Sequence, residues 1–231
     1  MLDRIGVERA IVVQPAGYGT DNRCTLEAVA KMGSRARGVA TVDALVSEEE
    51  LQRLSDAGMR GARLHMLPGG AVTWEMLEEV AAKVKSFGWH VQLQLPGEEL
   101  PEREALLRNL PVDLVIDHIG RIPEPIEVNN PGFRTLLGLV ETGRCWVKLS
   151  APDINSPKGA PEFTEVGRLA SALVSAAPER MLWASNWPHP GTPPEDKPDE
   201  GMLLDTLLHW VEDEPVRHRI LVDNPARLYG F

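Results

Sequence analysis

The sequence predicts an α/β fold of the (β/α)8 TIM-barrel type with seven parallel strands, and three observations carry that prediction. Short β-branched or apolar runs recur seven times, helical patterns with start and stop signals separate them, and polar residues repeat at every second position inside several runs. Strands that alternate with helices imply right-handed βαβ units and a parallel sheet, and this many units point to a barrel more than to an open sheet. A complete barrel has eight strands and typically about 250 residues. In 231 residues the strand expected to be missing is the first, so the expectation is one N-terminally truncated barrel domain over residues 1–231.

Met1 to Glu8 reads as the tail of a helix feeding the first run, Ala10–Gln14. The others follow at Gly38–Val42, Ala62–Leu67, His90–Leu95, Leu114–His118, Cys145–Ser150 and Met181–Asn186. Ser47 with Glu50 forms a capping box, Thr73 precedes the helical pattern from Trp74, and Gly88 and Gly143 stand where helices should stop. Two irregular stretches, Pro152 to Pro161 and the proline-rich Pro188 to Glu200, each follow a strand directly. In a parallel barrel both open onto the C-terminal face, where such folds place their sites. A sheet edge left open beside the first run would invite pairing with a second copy, so a homodimer is the association to expect.

The formal charge is 24 − 34 = −10 with no Lys/Arg cluster, which disfavours nucleic acid or an anionic membrane as partner. Cys24 and Cys145 have no metal-type spacing and read as free thiols of a reducing, cytoplasmic compartment. No apolar run approaches the ~18 residues that a membrane span needs.

Parity within the strands supplies the candidate site. Arg63 and His65 share one face, as do Gln92 and Gln94, and Trp146, Lys148 and Ser150; one parity of a barrel strand points inward. With Arg121, the cations Arg63 and Lys148 suit a small anionic substrate such as a carboxylate. The bland alternatives are a self-satisfied polar layer, or neutralisation by Asp117, Asp43 or Asp153. His118 ends its strand before Ile119-Gly120-Arg121, where an imidazole could ligate a metal, polarise a carbonyl or move a proton.

Three segments, Leu182-Trp183-Ala184-Ser185-Asn186-Trp187-Pro188-His189-Pro190, Asp117-His118-Ile119-Gly120-Arg121 and the closing Asn224 to Phe231, resemble the lactonase-like branch of the amidohydrolase superfamily. Gly17-Tyr18-Gly19-Thr20-Asp21-Asn22 resembles a turn of the same family. The resemblance implies hydrolysis of a small carboxylated lactone or cyclic ester by water attack on a polarised carbonyl. His118 would polarise that carbonyl, and Arg63, Lys148, Tyr18, Arg121 and His189 would contact substrate. Alternatives are a metal-dependent decarboxylase of the same family, or a degenerate barrel that binds without turnover.

Two departures from the family pattern matter. Its water-activating base is usually an Asp inside Ser/Thr-Asp-Trp-Pro-His, and here the residue is Asn186. An amide accepts no proton at neutral pH, so Asn186 is left to orient water or substrate, with Asp153 and His189 the nearest replacement bases in sequence. The family's first-strand His-x-His pair is also absent, so a divalent metal such as zinc is expected only if such a pair lies upstream; from this chain a weaker site would need His65, His118 and His189.

Overall fold

The computed structural model describes residues 1–161 and 163–231. Seven parallel strands lie in sequence order as a curled half-barrel: β1 (Ala10–Val13), β2 (Ala36–Ala40), β3 (Met59–His65), β4 (His90–Gln94), β5 (Leu114–Ile116), β6 (Cys145–Leu149) and β7 (Met181–Trp183). Helices α1 (Arg23–Met32), α2 (Glu48–Asp56), α3 (Leu77–Lys85), α4 (Leu100–Asn109) and α5 (Pro131–Val140) fill the first crossovers. The short α6 (Pro152–Asn155) precedes α7 (Thr164–Ala176), and α8 (Glu200–Trp210), α9 (Glu214–His218) and α10 (Asn224–Tyr229) close the chain. Each strand pairs with its sequence neighbours, and among the described residues β1 and β7 do not pair with one another.

Helix starts follow their caps. Ser47 accepts the Glu50 amide, and the Glu48, Glu49 and Glu50 carboxylates sit in the first turn, where the helix dipole favours negative charge. Asp199 accepts the Gly201 and Met202 amides and starts α8 straight out of the proline-rich loop. Strand ends depart from the expected bounds for a physical reason. The apolar runs reach His118 and Asn186, yet the sheet stops at Ile116 and Trp183, because His118 and Asn186 adopt φ of 56° and 68° and a left-handed residue cannot continue a strand. At the other end, β2 and β3 begin earlier than the apolar runs, at Ala36 and Met59.

The core has two layers. Outside the sheet, Leu64, Leu93 and Val147 pack with helix residues such as Leu54, Val80, Phe133 and Leu173. Inside the curl, Val39, Val115, Trp146 and Leu182 form a smaller apolar floor, plugged from below by Tyr229 of α10. The His90 ring stands edge-on to Tyr229, centroids 5.2 Å apart, directly over Gly61. A β-carbon at residue 61 would overlap that ring, so only glycine leaves room. We expect Gly61→Ala to destabilise the fold by ~1–3 kcal/mol, read as a fall of roughly 3–10 °C in Tm by calorimetry; an unchanged Tm would show that His90 moves freely.

Candidate active site

Above the apolar floor the inward parity turns polar. Register places Arg63 beside Gln92 and His65 beside Gln94 on adjacent strands, and Lys148 projects from β6 across the curl. These residues converge on Asp117, the first residue past β5. Lys148 Nζ lies 3.1 Å from Asp117 Oδ1, Arg63 Nε 3.8 Å from Oδ2, and the Gln92 amide donates to both oxygens at 3.0 Å. Arg63 also donates to the Gln14 carbonyl at 3.0 Å and to the Gln94 side chain, whose oxygen also meets His65 Nδ1 at 3.2 Å.

The cluster is nearly dry, and its charges decide its chemistry. Burial alone would raise the Asp117 carboxyl, but Lys148, His118, Arg63 and the Gln92 amide outweigh burial and hold it at about 2. Burial lowers Lys148 although Asp117 opposes that shift, so the carboxylate is firmly ionised while the ammonium discharges more readily than one on the surface. Two cations share one anion. The uncompensated positive charge sits at the strand ends of a chain whose overall charge is −10, so an anion is attracted locally.

His118 follows directly. Its ring is buried, and that burial, opposed by Asp117 but reinforced by Lys148, Arg63 and Arg121, lowers it to about 4, so the imidazole is uncharged at neutral pH. Burial and Arg63 likewise lower His65. His118 Nδ1 lies 2.9 Å from Ser150 Oγ. In the tautomer where Nδ1 accepts the serine proton, the remaining N–H is free to donate to a carbonyl oxygen. Left-handed φ values at His118, Ile119 and Arg121 throw the loop sharply off the strand.

That loop carries Arg121 to a cleft of about 370 Å³ between the segments that follow β3, β4, β5 and β6, lined by Leu67, Pro96, Glu98, Ile126 and Asn155 among others. Among the described residues Arg121 has no ion-pair partner. After β7, Asn186 and His189 bracket a turn in which the His189 amide donates to the Asn186 carbonyl at 2.9 Å. His189 is buried against Glu200 of α8, Nε2 to Oε1 2.8 Å, and its Nδ1 faces Asp153 Oδ2 at 3.7 Å. Tyr18 and Trp187 stay exposed on the loops after β1 and β7.

The structure therefore gathers Arg63, Lys148 and His118 about Asp117, with Gln94 held by Arg63. Arg121, Asn186, His189 and Tyr18 stand on separate loops of the same face. Asp117, weighed from the sequence only as a neutralising partner, is the hub of the cluster. Glu200 escaped sequence reasoning altogether, because a helix-starting glutamate carries no local sign of a distant histidine. Ser150 was legible by parity, but its bond to His118 was not. Among the described residues no group of three or more His, Cys, Asp or Glu side chains is arranged to hold a metal ion, and His65, His118 and His189 are not brought into one. No helix among them is long and apolar enough to cross a membrane.

With this geometry in hand, the chain can be set beside known proteins. A family model described as amidohydrolase matches residues 1–231. The chain is 35% identical over 237 residues to the 2-pyrone-4,6-dicarbaxylate hydrolase of Comamonas testosteroni, covering 98% of this chain and 77% of that one. It is 34% identical over 230 residues to the D-galactarolactone isomerase of Agrobacterium fabrum, covering 99% and 78%. Among solved structures, an apo protein of Agrobacterium tumefaciens superposes with a TM-score of 0.93 at 33% identity, covering 100% of this chain and 83% of the other. A probable 2-pyrone-4,6-dicarboxylic acid hydrolase of Acinetobacter baumannii with citric acid bound gives 0.83 at 26% identity, covering 100% and 86%.

Proposed function

Since the chain belongs to the amidohydrolase family, we propose that it opens a small carboxylated lactone by addition of water to the ring carbonyl at the C-terminal face of the half-barrel. The observation that carries this reading is the buried Arg63–Asp117–Lys148 cluster with uncharged His118 beside it. The surplus positive charge holds substrate carboxylate, Arg121 takes a carboxylate from the cleft side, and the His118 N–H polarises the carbonyl. Asn186 orients the attacking oxygen, with His189 and Tyr18 on the neighbouring loops. The citrate bound by a relative supports a carboxylate-rich ligand.

A second reading has its own support in Asn186 and in the relative named an isomerase. There the substrate's own hydroxyl attacks the same carbonyl, and one lactone becomes another without water. The two divide cleanly in H2(18)O. Ring opening by water places one heavy oxygen in the product carboxylate, whereas internal transfer places none. Incubation with 2-pyrone-4,6-dicarboxylate and D-galactarolactone, read by mass spectrometry, tests both; no change in either compound counts against lactone chemistry.

Arg121 gives a sharper check. Removing one charge-assisted contact costs about 1.5–3 kcal/mol, so Arg121→Met should raise KM roughly 10–100-fold with kcat little changed. An unaltered KM would remove Arg121 from the substrate.

A further inference from the structure

Any addition of an O–H group to a carbonyl needs a proton acceptor, and Asn186 cannot serve. The carboxylates of the same face, with His189, narrow the choice. Asp117 is saturated by Lys148, Arg63 and Gln92. Glu98 and Glu124 are exposed at the cleft rim. His189 is engaged at Nε2 by Glu200 at 2.8 Å, and its Nδ1 faces Asp153 at 3.7 Å. Asp153 remains, its side chain 14% exposed and its Oδ1 buried without a hydrogen-bond partner.

The position of Asp153 is fixed from two sides. It lies on α6, whose Asn155 donates to the His118 carbonyl at 3.2 Å, and α6 starts two residues after Ser150, which holds the His118 ring. Behind it stands the His189 ring, whose Nδ1 also lacks a hydrogen-bond partner and whose Nε2 is engaged by Glu200 at 2.8 Å. Glu200 begins α8, which fixes its place behind the ring. A carboxylate that accepts from Nε2–H fixes the tautomer in which Nδ1 is a bare acceptor facing Asp153, able to take a hydrogen bond from that carboxyl once it has received a proton.

Resting on the lactone reading above, we propose that Asp153 is the catalytic proton acceptor of this site and that His189 and Glu200 are the positioning pair that holds it. The attacking oxygen bonds to the carbonyl carbon while its proton passes to Asp153 and the π pair moves onto the carbonyl oxygen, beneath the His118 N–H. Collapse re-forms the carbonyl and breaks the ring carbon–oxygen bond, and the proton moves from Asp153 to the departing oxygen. The same balance holds whether the attacking group is water or a substrate hydroxyl.

Lactone turnover and citrate calorimetry on the full chain test this together. Asp153→Asn should lower kcat by ~10²–10⁴-fold while KM for the anionic lactone falls rather than rises. Glu200→Gln should lower kcat by about tenfold at constant KM, with partial recovery in Glu200→Asp. Asn186→Asp should bring no gain in kcat, because an acceptor is already present. Turnover by Asp153→Asn within about threefold of the parent, or a gain of ~10² or more in Asn186→Asp, overturns the proposal. Citrate is inert, so its binding separates this proposal from the lactone reading and shows that a variant is folded. Removing a carboxylate that faces an anionic ligand should tighten citrate several-fold in Asp153→Asn. If no lactone reacts, the lactone reading fails and the citrate measurement alone decides; unchanged affinity, or no binding by the parent chain, overturns the placement of Asp153.

Discussion

His118→Ala is expected to lower kcat on a carboxylated lactone by roughly 10²–10³-fold, the usual loss when one donor to a developing oxyanion is removed. The ring is uncharged because burial and the neighbouring cations, against Asp117, hold it at about 4, so its N–H polarises the carbonyl across the whole neutral range. The rate should therefore show no inflection near the ordinary histidine value of 6.5 on account of His118. His118→Gln, which keeps an N–H donor, should recover part of the loss, and Ser150→Ala should lower kcat less than His118→Ala because Ser150 only fixes the tautomer. Steady-state kinetics on these variants decides the point. A His118→Ala enzyme within a few-fold of the parent would take the carbonyl out of reach of this ring.

Asp117→Asn is expected to destabilise the fold by about 3–5 kcal/mol, because it leaves Lys148 and Arg63 as buried cations without their anion. Adding Lys148→Met to Asp117→Asn should return a large part of that loss, since an apolar side chain of similar volume removes one orphaned charge. Urea unfolding of the single and double variants measures both. The pH dependence carries the same signature. Asp117 sits at about 2 against an ordinary 3.8, so its contribution is complete above about 4 and is lost as pH falls through about 2. His118 at about 4 and His90 at about 3 are also depressed, here from 6.5, so the unfolded chain takes up their protons first and stability declines from pH 6.5 downward. Tm should thus fall in two stages on acidification, and Asp117→Asn should lose the lower one. A Tm that is flat from pH 7 to 4 would contradict the burial of both rings.

Much of this architecture was legible because strands and helices announce themselves by period. The parity of Arg63, His65, Gln92, Gln94, Lys148 and Ser150 marks the inward face in the sequence itself. What remained hidden depends on geometry that a one-dimensional pattern does not hold. Asp117 reads as one more residue of an apolar run, and only the left-handed bend at His118 turns the neighbouring loop away and leaves the carboxylate among the cations. Glu200 lies eleven positions after His189 across a proline-rich loop, and no spacing rule joins them. The His90–Gly61–Tyr229 contact likewise joins two strands to the last helix.

The turns entering strands satisfy positive φ with glycine, at Gly33, Gly58, Gly88 and Gly143. The segments leaving strands instead force His118, Ile119, Arg121, Ala151, Phe163, Asn186 and His189 into that region, among the described residues the only non-glycines there. Residues so held store of order 1–3 kcal/mol each. Thermostability and turnover are thus antagonistic traits that share the same positions. In a lineage evolved for heat resistance alone, with no selection for catalysis, glycine or asparagine should accumulate at Ile119 and Ala151 first, and activity should erode there while the opposite face of the half-barrel stays unchanged.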